Sequence, residues 1–142
     1  MSAQLNLEVV TPHRTVLVET VDSVTLPGSE GELGILPEHI PLLTTLDSGI
    51  MSYSNSGKTQ VIAVHWGYAQ VEGNNVRVLA ELGETVTEID LDRAKKAEIK
   101  AKENLVSGTV STTDWEAEEI RQKKYESKLR RSLVRQTLAQ TR

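Results

Sequence analysis

Proline and glycine stop abruptly partway along this chain. All 4 Pro and 8 of the 9 Gly lie before Glu88, and beyond it Gly108 is the only residue of either type. Inside a helix proline costs about 3 kcal/mol and glycine about 1 kcal/mol relative to alanine. The last third is therefore free to be helical, while the punctuated front portion favours short elements joined by turns. Charge divides at the same place. Met1–Thr87 carries 3 basic residues (Arg14, Lys58, Arg77) against 10 acidic, and Glu88–Arg142 carries 13 against 10. The net charge of −4 is thus an average of two unlike halves. Two domains are expected, residues 1–87 and residues 88–142.

Several classes of protein drop out. With no Cys there is no disulfide framework, thiolate metal site or cysteine nucleophile. No apolar run approaches the ~18 residues that span a membrane, so direct membrane insertion is not expected. The N-terminus, Met1-Ser2-Ala3-Gln4-Leu5-Asn6, has neither the charged and apolar regions of a signal peptide nor the arginines of a transit peptide. The acidic front half argues against nucleic acid as a partner. Apolar residues make up 38% with no Phe, so the core must be aliphatic.

The front half reads as strands. Leu5, Leu7 and Val9 alternate with Asn6 and Glu8; Val16 and Val18, then Val24 and Leu26, continue the period of two. Ile62, Val64 and Trp66 share one face opposite Val61, Ala63 and His65, and Val76, Val78 and Ala80 alternate with Arg77, Leu79 and Glu81. Asn55-Ser56-Gly57-Lys58 and Glu72-Gly73-Asn74-Asn75 read as hairpin connections. The pattern predicts an antiparallel β-sandwich or barrel. Between Gly28 and Leu43, three Gly at a spacing of three, two Pro and an acidic pair predict an ordered loop rather than a strand.

The back half reads as two helices. Asp90 is a plausible N-cap, followed by Leu91, Ala94, Ala97, Ala101 and Leu105 in a narrow stripe. Ser107–Thr112 is a break, and Thr113-Asp114-Trp115-Glu116 reads as a capping box. On the second helix Tyr125, Leu129 and Leu133 form an i, i+4 ladder, with Ile120 and Leu138 off it. The short link predicts an antiparallel hairpin. So thin an apolar stripe makes the helices marginal alone. Seven cations (Arg121, Lys123, Lys124, Lys128, Arg130, Arg131 and Arg135) would suit an acidic partner, or form a solvated face paired with Glu118, Glu119 and Glu126.

Catalytic chemistry finds little support. Gly57-Lys58-Thr59 ends like a phosphate-binding loop, but the first glycine of that pattern is Ser52, which leaves a hairpin turn. His13, His39 and His65 do not pair at metal-binding spacing, so no metal site is expected. Backbone amides in Gly28–Gly34 could cradle an anion, yet Glu30 and Glu32 oppose it, which favours an acidic protein-contact loop.

The run Gly28-Ser-Glu-Gly-Glu-Leu-Gly-Ile-Leu-Pro-Glu-His-Ile-Pro-Leu-Leu-Thr44 closely resembles the signature loop of the ε subunits of bacterial F-type ATP synthases. Leu7-Glu8-Val9-Val10-Thr11-Pro12, Gly67-Tyr68-Ala69-Gln70-Val71 with Asn75-Val76, and Ile89-Asp90-Leu91-Asp92-Arg93-Ala94 are similar to that family in order along the chain. The resemblance implies a β-sandwich followed by a helical hairpin, with no catalytic residues. It implies a central-stalk rotor subunit of a proton-translocating complex, peripheral to the cytoplasmic face of the bacterial inner membrane. Its partners would be the γ subunit and the c-ring, contacted through Glu30, Gly31, Glu32 and Leu33, with His39 and Leu42 nearby. Extended into the catalytic hexamer, the hairpin would inhibit ATP hydrolysis, its seven cations meeting the β (and α) subunits. No cofactor is required. Some members bind ATP at the folded hairpin, so the alternative is an ATP-sensing module. Ile89, Asp90, Arg93 and Ala94 match that motif and Glu84 holds the corresponding upstream place, whereas Lys100, Lys124 and Lys128 stand where those members carry arginine. Lysine lacks the planar fork that grips phosphate.

Overall fold

The structure is a computed structural model that describes residues 3–106 and 115–140. Two compact units divide between Glu88 and Ile89.

The first unit is built from eight strands, β1 (Leu5–Val10), β2 (Thr15–Val21), β3 (Ser23–Gly28), β4 (Gly31–Ile35), β5 (Leu42–Leu46), β6 (Gly49–Asn55), β7 (Lys58–Glu72) and β8 (Asn75–Thr85). Their pairing runs β2-β1-β8-β7-β5-β3-β4, with β6 bridging β3 and β7. The sheet folds over on itself because the 15-residue β7 serves both layers. Lys58–Val64 pairs with β6, and Gly67–Val71 pairs with β5. The two halves meet at a kink where Trp66 has φ 44° and Gly67 φ 154°. A Cβ at Gly67 would lie 2.0 Å from the Leu79 carbonyl oxygen, so only glycine fits there.

Alternation sorts the side chains as expected. Leu5, Leu7 and Val9 of β1 and Val76, Val78 and Ala80 of β8 turn inward onto Val24, Leu26, Ile35, Met51 and Val64. The Ser56-Gly57 turn (φ 53° and 79°) closes the β6–β7 hairpin, and Gly73 (φ 58°) opens the turn between β7 and β8. The Gly57-Lys58-Thr59 sequence is thus a hairpin corner. One pair departs from the antiparallel pattern: β1 lies parallel to β8, Asn6 opposite Asn75 through Val10 opposite Leu79. The long chain between these strands makes the parallel arrangement possible.

The Gly28–Leu43 stretch corrects the expectation of a continuous loop. Gly31–Ile35 is a strand paired to β3 from Gly28↔Gly31 to Val24↔Ile35. Gly31, at φ 130°, closes a two-residue turn over Ser29-Glu30. Leu33 and Ile35 then alternate inward against the core. Only residues 36–41 remain a loop.

The second unit is a helical hairpin of α1 (Leu91–Val106) and α2 (Trp115–Ala139). The Asp90 carboxylate accepts the Arg93 N–H at 3.1 Å, making the N-cap. Ala94 and Ala101 are buried, and Leu91, Ala97 and Leu105 half-buried. The helices run antiparallel: Gln136 donates to the Glu98 carboxylate at 2.7 Å, and near the other end the Arg121 guanidinium donates to the Asn104 carbonyl. The break over 107–112 and the Thr113-Asp114 part of the capping box lie outside the described residues. The ladder on α2 is corrected. Leu138, placed off it, is fully buried, while Leu133 is 43% exposed. An i, i+4 ladder rotates by about 40° at each step and leaves the seam. Tyr125, Ser132 and Ala139, seven apart, stay on it.

Candidate partner-binding site

On the sandwich, Glu30, Gly31 and Glu32 project from the β3–β4 turn and are exposed. The turn is held in place, since the Ser29 N–H donates to the Thr45 carbonyl at 3.1 Å and the Ser29 and Thr45 hydroxyls lie 2.8 Å apart. Leu33 and Leu42 instead turn toward the core and pack against it. His39 is not beside the acidic turn. It sits in the 36–41 loop at the far end of β4, roughly 15 Å of strand away at ~3.3 Å per residue. There its Nδ1 lies 2.7 Å from the Ile40 carbonyl oxygen, and the neighbouring Glu38 N–H donates to the Asn74 side chain at 2.9 Å. Glu30 and Glu32 thus stand at the start of β4, whereas His39 lies beyond its other end and Leu42 begins β5.

A surface that the sequence reading missed lies beside the acidic turn. A groove of about 750 Å³ is lined by Val10, Pro12, Leu46, Trp66, Tyr68, Leu79 and Ala80, with Asp47 and Glu81 supplying its charges. Tyr68 and Leu79 are opposite one another across β7 and β8 and are 56% and 48% exposed. Their outward positions in an alternating strand, normally polar, are the signal that would have found them. Three further aliphatics, Leu36, Ile40 and Leu43, are at least 63% exposed around the 36–41 loop. Patches of this kind mark protein contacts.

His65, which alternation places on the strand face of Val61 and Ala63, is fully buried. Its Nε2 lies 3.0 Å from Glu84 Oε1 and its Nδ1 3.3 Å from Ser48 Oγ. Glu84 belongs to the sandwich, whereas Ile89, Asp90, Arg93 and Ala94 belong to the hairpin unit. Of these four, Ile89 and Ala94 are buried and Arg93 is exposed.

The seven cations of α2 do not form one face. At about 100° per residue, Arg121, Lys124, Lys128, Arg131 and Arg135 fall within roughly 80° of helix surface, while Lys123 and Arg130 point well away from them. Lys123 pairs with Glu119 at 3.3 Å. Arg121 pairs with Glu118 at 3.0 Å, and Arg121, Lys124 and Lys128 stand 5.3–5.9 Å from the Tyr125 ring centroid. Lys128, Arg131 and Arg135 join Lys100, Ala97, Ala101 and Tyr125 around a groove of about 250 Å³.

The chain thus joins an eight-stranded β-sandwich unit, which carries an exposed apolar groove, to a two-helix hairpin unit. The family model of the ATP synthase delta/epsilon chain β-sandwich domain matches residues 4–86. The ATP synthase epsilon chain of Carboxydothermus hydrogenoformans is 50% identical over 109 residues, 77% of this chain and 81% of that one. That of Geotalea daltonii is 41% identical over 139 residues, 98% and 96% of the two chains. Among solved structures, a chain of the Euglena gracilis mitochondrial ATP synthase (OSCP/F1/c-ring) shares the fold with a TM-score of 0.80 at 23% identity, over 100% of this chain and 84% of that one. This chain belongs to the epsilon-chain family of the F-type ATP synthases, and its part in that complex is structural and regulatory rather than catalytic. Among the described residues, no helix is long and apolar enough to cross a membrane.

Proposed function

We propose that this epsilon chain is a central-stalk rotor subunit that couples rotation between the c-ring and γ. In this reading it is peripheral to the cytoplasmic face of the bacterial inner membrane, in a proton-translocating complex. The observation that carries the reading is the exposed apolar groove around Trp66, Tyr68 and Leu79. An open aliphatic and aromatic surface is stabilised by burial at about 25 cal/mol per Å², which suits a permanent partner such as γ. The acidic turn with Glu30, Gly31 and Glu32 then faces the polar loops of the c-ring. His39 shapes the 36–41 loop, and Leu33 and Leu42 support the turn and β5 from beneath. Capture on immobilised γ subunit tests this. Tyr68→Asp and Leu79→Asp should weaken capture more than tenfold while leaving the melting transition cooperative, and full retention by both would reject the groove as the γ site.

The hairpin inhibits ATP hydrolysis when it extends into the catalytic hexamer, and the cations of α2 meet acidic segments of the β and α subunits there. Arg121, Lys124, Lys128, Arg131 and Arg135 supply the contiguous face, with Lys123 and Arg130 on another side. A weak apolar seam supports this reading, since an element with two docking states must not be committed to one.

A second reading, ATP held by the folded hairpin, is favoured by the groove with Lys100, Lys128, Arg131 and Arg135 around Tyr125. Four cations suit a polyphosphate. Glu84, Ile89, Asp90, Arg93 and Ala94 remain candidates for the nucleoside end, and Lys124 for the phosphates. Calorimetry with magnesium-free and magnesium-loaded ATP tests it: saturable heat, weakened by Lys128→Ala, is expected, and no saturable heat rejects it.

A further inference from the structure

Strands β2, β1, β8, β7 and β5 lie side by side, and their registers bring the outward side chains into rows. One row holds Tyr68 and Leu79, the exposed pair of the apolar groove, with Val10 on one side and Thr45 on the other. The next row, about 7 Å away at ~3.4 Å per residue, runs Val18, Glu8, Arg77, Gln70 and Leu43. Its two ends are aliphatic, Val18 being 71% and Leu43 70% exposed. Its middle is an ion pair, with Arg77 Nε 3.3 Å from Glu8 Oε2. A third row, Thr20, Asn6, Asn75 and Glu72, is polar, and Asn6 donates to Asn75 at 3.2 Å within it. A second groove, of about 640 Å³, lies along the last two rows, so it and the Tyr68 groove are parts of one sheet face.

Val18 and Leu43 point away from the core, at positions where a half-buried sheet normally carries polar residues. The ion pair between them is partly exposed, and such a pair adds little to stability. Paired, however, its two charges can be covered by a partner without leaving either one uncompensated. Glu72 and Glu81, both exposed, stand at opposite margins of the face along the strands. Aliphatic ends, a self-neutralised middle and acidic margins are the make-up of an interface with a dry centre and a charged rim. Five strands at ~4.8 Å spacing make the face roughly 19 Å wide. One helix is only about 10–12 Å across and would leave Val18 or Leu43 uncovered, so the face fits a folded surface.

We propose that the outward face from Val18 across the Glu8–Arg77 pair to Leu43 is one docking surface with the Tyr68–Leu79 groove. Its occupant is a folded surface of γ, uncharged opposite the ion pair and basic where it meets Glu72 and Glu81. This rests on the reading of the groove as the γ site. Adjacent rows are only about 7 Å apart, so a folded surface seated on Tyr68 and Leu79 reaches the ion-pair row as well. The acidic margins favour a partner with a basic rim and speed its encounter.

The test is the affinity of the full-length chain for immobilised γ. Val18→Asp and Leu43→Asp should each weaken capture about tenfold. Both side chains are exposed, so the melting temperature should barely move. The double variant Val18→Thr with Leu43→Thr, milder toward the strands, should still weaken capture about threefold. Arg77→Glu alone should weaken it about tenfold, while the exchanged pair, Glu8→Arg with Arg77→Glu, should return to within about threefold of the unaltered chain. Glu72→Lys with Glu81→Lys should slow association and flatten its dependence on salt. Unchanged affinity in the Val18 and Leu43 variants, with Tyr68→Asp still weak, would confine γ to the groove and overturn the extended surface. Unchanged affinity in all of these, Tyr68→Asp and Leu79→Asp included, would instead reject the γ reading itself. An exchanged pair no tighter than Arg77→Glu would overturn the uncharged centre, and an unaltered salt dependence in the Glu72 and Glu81 variant would overturn the basic rim. Dimerisation of the free chain, abolished by Val18→Asp, would assign the face to a second copy and overturn γ as its occupant.

Discussion

Trp66 is a bulky residue in the left-handed region, a conformation that costs about 1–3 kcal/mol. It is held there because Gly67 lets β7 approach the Leu79 backbone, at a distance no Cβ could share. Gly67→Ala should therefore lower sandwich stability by at least about 3 kcal/mol in denaturant titration. Glu38, also at positive φ (66°), lies on an open loop. There Glu38→Gly should change stability by less than about 1 kcal/mol, strain relief being offset by the freer unfolded chain. Two carboxyls make the sandwich sensitive to acid. The hydrogen bond from Arg14 holds the Glu88 carboxyl below its ordinary range, and bonds from the Gln4 side chain and the Ser56 N–H do the same for Asp22. A carboxyl depressed in the folded state contributes stability above its unfolded pKa, and that contribution is lost as pH falls through the lower folded value. Melting temperature should thus fall on acidification below the ordinary carboxylate range, near pH 4. The combined variant Glu88→Gln with Asp22→Asn should show a shallower acid decline, and an identical slope would contradict the assignment.

Among the elements, strands were legible wherever alternation was clean. Leu5, Leu7 and Val9 are at most 1% exposed, as their period of two requires. β4 was hidden because Gly28, Gly31 and Gly34 read as punctuation, although two of them close a hairpin and the third sits outward in a paired strand. The seam of α2 was hidden by Ser132, a polar residue that is fully buried because its hydroxyl bonds back to the Leu129 carbonyl at 2.7 Å. The correction carries a prediction. Leu138→Ala should destabilise the hairpin by about 2–5 kcal/mol, whereas Leu133→Ala should cost less than about 0.5 kcal/mol. Helix signal followed during a melt distinguishes them, and equal effects would restore the original ladder.

For the molecule as a whole, the loss of proline and glycine after Glu88 coincides with the change from sheet to helix, because both follow from what a helix interior tolerates. The contact surfaces were only half legible. Glu30 and Glu32 stand out as charges in a glycine-rich turn, but the groove depends on β5, β7 and β8 lying side by side, and no local pattern brings Leu46, Tyr68 and Leu79 together. Likewise Arg14 and Glu88 are joined only by the fold. The central claim is that the sandwich binds the stalk while the hairpin restrains hydrolysis. Its most direct test is the ATP hydrolysis rate of the enzyme assembled with this chain ended after Glu88, beside the enzyme assembled with the full chain. The account predicts that the shortened chain still joins γ and that hydrolysis rises severalfold; an unchanged hydrolysis rate with γ bound would contradict it.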